Sequence, residues 1–84
     1  MTAAAQVERR AKWYAALRRH FETAERGEVS FVEVRHENWC PTQRGLTVCL
    51  CNPDRVILDD RRRVLTRIRG AGPYRAAEVV EALA

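Results

Sequence analysis

Apolar positions recur every three or four residues along the first third of the chain. Val7, Ala11, Tyr14, Leu17, Phe21 and Ala24 fall on one stripe, which Trp13 and Ala16 widen. Arg9, Arg10, Lys12, Arg18, Arg19, Glu22 and Glu25 fill much of the remaining surface. This spacing predicts an amphipathic helix over residues 2–26, with the stripe as its core face and Gly27 as its stop. The period then changes to two. Val29, Phe31 and Glu33 alternate with Ser30, Val32 and Val34, which predicts a strand over residues 29–35. A second short strand is predicted over residues 46–51, after a loop marked by Pro41 and Gly45.

Residues 52–69 admit two readings. Asn52-Pro53 has the form of a helix cap followed by proline at the first helical position. Against a helix, Val56-Ile57-Leu58 and Val64 to Ile68 are rich in β-branched residues, which favours two strands around a turn at residues 59–62. That turn lacks the Gly or Asn that tight hairpins prefer. The hairpin is the favoured reading; it puts Arg63, Arg67 and Arg69 on a face with Leu65, opposite Val64, Thr66 and Ile68. Pro73 then opens a short final helix whose apolar side is Ala76, Val79, Val80 and Leu83. The fold class expected is α+β: an N-terminal amphipathic helix, a small antiparallel sheet built around a zinc site, and a short C-terminal helix.

Length sharpens this picture. Eighty-four residues make one domain, taken as 1–84, and a core of that size is marginal unaided. Small domains commonly add a disulfide, a metal or an oligomeric contact. Three cysteines do not pair off evenly, and a reducing compartment favours metal-bound or free thiols. No apolar run reaches membrane-spanning length, and no secretory h-region precedes Arg9. Glu8 also speaks against a transit peptide, so the expected compartment is the cytoplasm.

The chemistry concentrates in His36-Glu-Asn-Trp-Cys40 and Cys49-Leu-Cys51, four soft or borderline ligands within sixteen residues. Zinc takes four such donors in a tetrahedron. His36 ends the first predicted strand, Cys40 sits in the turn after it, and Cys49 and Cys51, two apart on an extended segment, face one side. Gly45 lets the loop fold back so that the halves meet. Three thiolates and an imidazole make a closed, structural shell with no position left for a substrate. The competing reading is three buried free thiols beside a solvated histidine. His20, beside Arg19 on the helix, reads as a rim residue rather than a ligand.

Catalytic patterns fail on local structure. His36-Glu37-Asn38-Trp39-Cys40 resembles the HExxH metalloprotease motif with Cys in place of the second His, but that motif requires a helix. A strand precedes it here, and Pro41 disfavours helical backbone at Cys40. The zinc deaminase pattern requires a Pro-Cys-x-x-Cys element that the chain lacks. The chain is therefore expected not to be an enzyme, with no small-molecule substrate evident.

Charge bears on the partner. The net charge is +4, with +3 over residues 1–27 (six basic, three acidic), −2 over 28–54 (two, four) and +3 over 55–84 (seven, four). Fourteen of the fifteen basic residues are Arg, which suits phosphate and carboxylate recognition, although a GC-rich genome also yields Arg. Arg9, Arg10, Arg18, Arg19, Arg61, Arg62, Arg63, Arg67 and Arg69 are the candidate partner-binding residues, and basic ends of this kind suit a phosphate backbone. A solvated charged face is the plain alternative. Trp39 is either a lid over the metal, the favoured reading, or an exposed anchor for a partner.

The run His36-Glu-Asn-Trp-Cys40-Pro41, then Arg44-Gly45, then Cys49-x-Cys51-x-Pro53 resembles a family of small uncharacterised bacteriophage and prophage proteins. Their shared core reads H-[DE]-x-W-C-P, a Gly-containing turn, and C-x-C-x-P. The likeness covers about eighteen residues, roughly a fifth of the chain. It implies a zinc-binding core and a mobile-element origin, and it carries no activity. The function expected is thus a small binding protein with a structural zinc, engaging a protein complex or nucleic acid. A virion or assembly component, in which oligomers and virion location are expected, and an inhibitor of a host nuclease or defence complex are the alternatives.

Overall fold

The computed structural model describes residues 3–84, and their order is α1 (Ala3–Thr23), β1 (Phe31–Arg35), a short 3-10 turn (Pro41–Arg44), β2 (Asp54–Leu58), β3 (Val64–Ile68) and α2 (Glu78–Leu83). The predicted helical residue Thr2 lies outside the described residues. The fold is α+β, with the helix, antiparallel sheet and final helix in the expected order.

The first helix ends three residues earlier than predicted. The Thr23 hydroxyl turns back to donate to the Arg19 and His20 carbonyls, at 2.9 and 3.3 Å. Residues 25–28 then form a separate turn, in which Gly27 has φ 85° and the Glu28 N–H donates to the Glu25 carbonyl at 3.0 Å. The buried stripe of α1 is also rotated from the predicted one. Trp13 and Leu17 are fully buried, whereas Val7 and Phe21 are exposed. Gln6, Arg10, Trp13, Leu17, His20 and Ala24 form the covered line. Polar Arg10 belongs there because its guanidinium donates to the Ala71 carbonyl at 3.1 and 3.3 Å. His20 belongs there because its Nε2 lies 2.8 Å from the Ser30 hydroxyl.

The sheet order is β1-β2-β3, antiparallel throughout. Val32 and Thr66 lie opposite Ile57. Ile57 packs with Trp13, Leu17 and Ala82, so this face lies under the helices. The other face carries Phe31, Glu33, Arg35, Val56, Leu58 and Arg67. Val56 is fully buried there between its cross-strand partners Glu33 and Arg67, whose long stems flank it.

The predicted strand over residues 46–51 does not form: β1 pairs instead with Asp54–Leu58. Residues 53–69 form the favoured hairpin, with one correction to its faces. A register shift between Ile57 and Leu58 makes Leu65 the extra residue, so Val64 pairs with Leu58 and leaves the face of Thr66 and Ile68. The missing turn glycine is replaced by Arg62, which takes the left-handed conformation at φ 60°. Asp59 compensates. Its Oδ1 accepts from the Arg61 and Arg63 N–H groups at 2.9 and 2.8 Å, and its Oδ2 from Arg63 Nε at 2.7 Å.

The Arg63 N–H bond, outweighing partial burial and joined by the other Arg63 and Arg61 contacts, holds the Asp59 carboxyl below its ordinary range. A depressed carboxyl contributes stability above its unfolded value, and that contribution is lost as pH falls through the folded value. Asp59→Ala is therefore expected to lower the urea midpoint at neutral pH and to flatten its decline in acid. Equal slopes for the two proteins would show that the turn does not depend on this charge.

The C-terminal helix starts at Glu78 rather than Pro73. Its covered side is Glu78 and Ala82, with Val79 packed at the edge; Ala76, Val80 and Leu83 are exposed. A buried ion pair explains the rotation. Arg55 of β2 donates to both Glu78 carboxylate oxygens, at 3.0 and 2.9 Å, and to the Gly72 and Pro73 carbonyls, at 3.0 and 3.2 Å. Both side chains are fully buried. Gly72 closes the same loop at φ 84°, and its N–H donates to Asn52 Oδ1 at 2.8 Å. A Cβ there would lie 2.9 Å from Arg10 Nη2. Gly72→Ala is expected to cost about 1–2 kcal/mol from the left-handed backbone, more if Arg10 must leave Ala71. Chemical denaturation checks this, and an unchanged midpoint would contradict it.

Candidate metal centre

The connection between β1 and β2 is long because it wraps around a set of donors. His36 follows directly on β1. Cys40 precedes the 3-10 turn, with φ −62° and ψ 135° ahead of Pro41, the extended backbone a residue before proline prefers. Gly45 ends that turn at φ 82°, where the backbone reverses toward the cysteine pair. Cys49 and Cys51 then point to one side, as their spacing predicts, while Leu46, Val48 and Leu50 are exposed.

His36, Cys40, Cys49 and Cys51 place their donor atoms within 4.8 Å of one another. His36 Nδ1 lies 3.7 Å from Cys40 Sγ, 3.4 Å from Cys49 Sγ and 3.5 Å from Cys51 Sγ. Cys49 and Cys51 Sγ are 3.8 Å apart. A tetrahedral zinc with Zn–S of about 2.3 Å and Zn–N of about 2.0–2.1 Å requires S···S edges near 3.8 Å and N···S edges near 3.5 Å. These four edges meet that requirement, and the Cys40 sulfur lies within 4.8 Å of the other two sulfurs. They do not suit a disulfide, whose sulfurs sit about 2.05 Å apart, and all three cysteines are free. Group and spacing together make a site able to hold a metal ion.

The surroundings favour thiolate at one corner. Burial by itself pushes the Cys40 thiol up. The Thr42 hydroxyl, 3.1 Å from Cys40 Sγ, and the backbone N–H groups of Thr42, Leu50 and Cys51 outweigh it and pull the thiol down to about 5. Hydrogen bonds to an ionised sulfur stabilise its charge. Cys51 behaves oppositely: burial, then the neighbouring Cys40 and Cys49 sulfurs, push it up to about 12. The two surroundings thus pull in opposite directions, toward thiolate at Cys40 and toward the protonated thiol at Cys51.

The centre is tied to the rest of the fold at two points. Tyr74 packs against the three cysteines, and Arg55 lies over its ring at 5.4 Å. Asn52, next to Cys51, receives the Gly72 N–H on its side chain, while its own N–H reaches Glu37 Oε2 at 3.4 Å. Glu37 is thereby engaged in a backbone contact. Neither Tyr74 nor the Arg55–Glu78 pair was signalled by the sequence, because their contacts join segments seventeen or more residues apart.

The other predicted residues scatter. Trp39 is 54 % exposed, so it does not form the lid that was favoured for it. Arg9 donates to the Arg69 carbonyl and Arg10 to that of Ala71, so both serve the fold. Arg63 pairs with Asp59, Arg69 with Asp54, and Arg62 lies over the Phe31 ring at 4.7 Å. Among the described residues, Arg18, Arg19, Arg61 and Arg67 keep guanidinium groups without an ion-pair or hydrogen-bond partner. His20 stands apart from the metal donors, on Ser30.

No helix among the described residues is long and apolar enough to cross a membrane. Compared with protein-family models, curated proteins and solved structures, the chain gives no match.

Proposed function

We propose that the chain is a small zinc-binding protein whose zinc is structural, and that it acts by binding a macromolecular partner rather than by catalysis. The observation that carries the reading is the four edges of 3.4 to 3.8 Å that join His36 Nδ1 to the three cysteine sulfurs and Cys49 to Cys51, in a group whose donors all lie within 4.8 Å of one another. Four protein donors fill a tetrahedron, and soft sulfur with imidazole selects zinc over harder cations. A shell of that kind leaves no corner for a reacting water.

The partner is a protein complex or a nucleic acid engaged by the unpaired arginines, Arg18, Arg19, Arg61 and Arg67. The likeness of the 36–53 segment to bacteriophage proteins supports a mobile-element origin. Elemental analysis of tag-free protein tests the central claim. One zinc per chain is expected; wild-type protein that is folded and free of metal would overturn it. For the partner, Arg61→Glu with Arg67→Glu is expected to weaken binding to a mixed-sequence oligonucleotide and reduce its salt dependence. No oligonucleotide binding at low salt would leave a protein as the partner.

A further inference from the structure

The metal loop carries an apolar strip with an unusual charge pattern. The chain is 31% charged, yet residues 45–53 hold no charged side chain. Leu46, Val48 and Leu50 are 59, 56 and 59 % exposed, and Trp39, from the other limb of the loop, is 54 % exposed. Their outward direction follows from the site. With Cys49 and Cys51 turned inward, the alternate residues must turn away from it. A metal held by Cys49 and Cys51 would fix the backbone of this strip, so that little conformational freedom would remain to be lost when something packs on it.

We propose that this strip is the contact through which two copies of the chain pair about a two-fold axis near Val48. The inference rests on the metal reading, since the inward cysteines are what present the strip. Three observations favour a second copy as the occupant. First, an uncharged strip meets itself without like-charge repulsion, which matters for a chain of net charge +4. Second, one charge of each sign lies close to the strip in sequence, Glu37 two residues before Trp39 and Arg44 two before Leu46, and a two-fold contact can set such a pair against its mate. Third, the area fits. An aromatic side chain alone carries about 150–250 Å², so the exposed parts of Trp39 and three aliphatics amount to hundreds of Å². That is the scale of the apolar portion of a contact burying about 800 Å² per partner, and of the patches that mark interaction sites on monomers.

The test is molar mass by light scattering and sedimentation on the full chain as purified, over a concentration series, with zinc content and far-UV circular dichroism read on every sample. The wild type is expected to show twice the 9.7 kDa chain mass. Leu46→Glu and Val48→Glu are expected to weaken self-association at least about 100-fold while zinc content and dichroism stay unchanged. Val80→Glu, on exposed α2, is the control and is expected to remain dimeric. A zinc-loaded wild type that stays at 9.7 kDa at every concentration overturns the proposal. So does a dimer that both strip variants leave intact. Metal content, read separately, decides the zinc reading on its own.

Discussion

Cys49→Ser is expected to lose its zinc and to unfold the segment between β1 and β2. Among the described residues, one of the buried clusters that hold the fold is Cys40, Cys49 and Cys51 with Tyr74 against it, beside the helical core. Structural zinc sites contribute on the order of 10 kcal/mol. A domain of this length has a total stability of about 4–13 kcal/mol, so the metal term is comparable with the whole. The readouts are the zinc-to-chain ratio and the dichroism and urea midpoint of the same sample. Chelation of the wild type is expected to give the same result, reversed by added zinc; the variant is not rescued. A variant with wild-type midpoint would make the cysteines ordinary core residues.

Acid should release the metal for the same reason. The ligand sulfurs must be thiolates, so protons compete with the ion and affinity falls with pH. Uptake is expected to release protons, that of Cys51 among them, because burial beside two other sulfurs pushes its thiol up to about 12. Titration calorimetry in two buffers of different ionisation enthalpy measures that release. Equal apparent enthalpies in both buffers would contradict it.

Glu78→Ala should be the most damaging change away from the metal. It leaves the Arg55 guanidinium buried with only the Gly72 and Pro73 carbonyls as acceptors. Removing one partner of a buried pair costs about 3–5 kcal/mol. That is a large share of what a domain this size has. Replacing both partners, as in Arg55→Met with Glu78→Leu, is expected to cost less than Glu78→Ala alone, because no charge is stranded. Urea midpoints of the set decide it. A double variant worse than Glu78→Ala would mean that the Arg55 bonds to the Gly72–Pro73 turn matter more than the charge pair.

The cluster of four donors was legible because its information is local. Four rare residue types sit within sixteen positions, and spacing of two on an extended chain fixes their common side. The hairpin was legible from β-branched runs. The segment at residues 46–51 misled because β propensity reports a fit to a pleated surface, and here the donors occupy the inner side while β2 takes the pairing with β1. The helix stripe misled for a related reason. Apolar spacing cannot reveal that Arg10 and His20 have hydrogen-bond partners waiting at Ala71 and Ser30, whereas Val7 and Phe21 stay 62 and 44 % exposed. Arg55 and Glu78 read as surface charges until their distant loop is in place.

The closeness of the four donors along the chain also bears on how the protein is built during synthesis. All four donors lie between residues 36 and 51, so the cluster requires only short loops to close, and short closures cost little entropy. The helical core is the reverse: it joins Trp13 to Ala82 and waits for α2 to emerge. A nascent chain ending after β2 is expected to capture zinc already, leaving α1 without its final cover. Metal supply would then act at the ribosome, with the loop set as a fixed template against which β3 and α2 later dock.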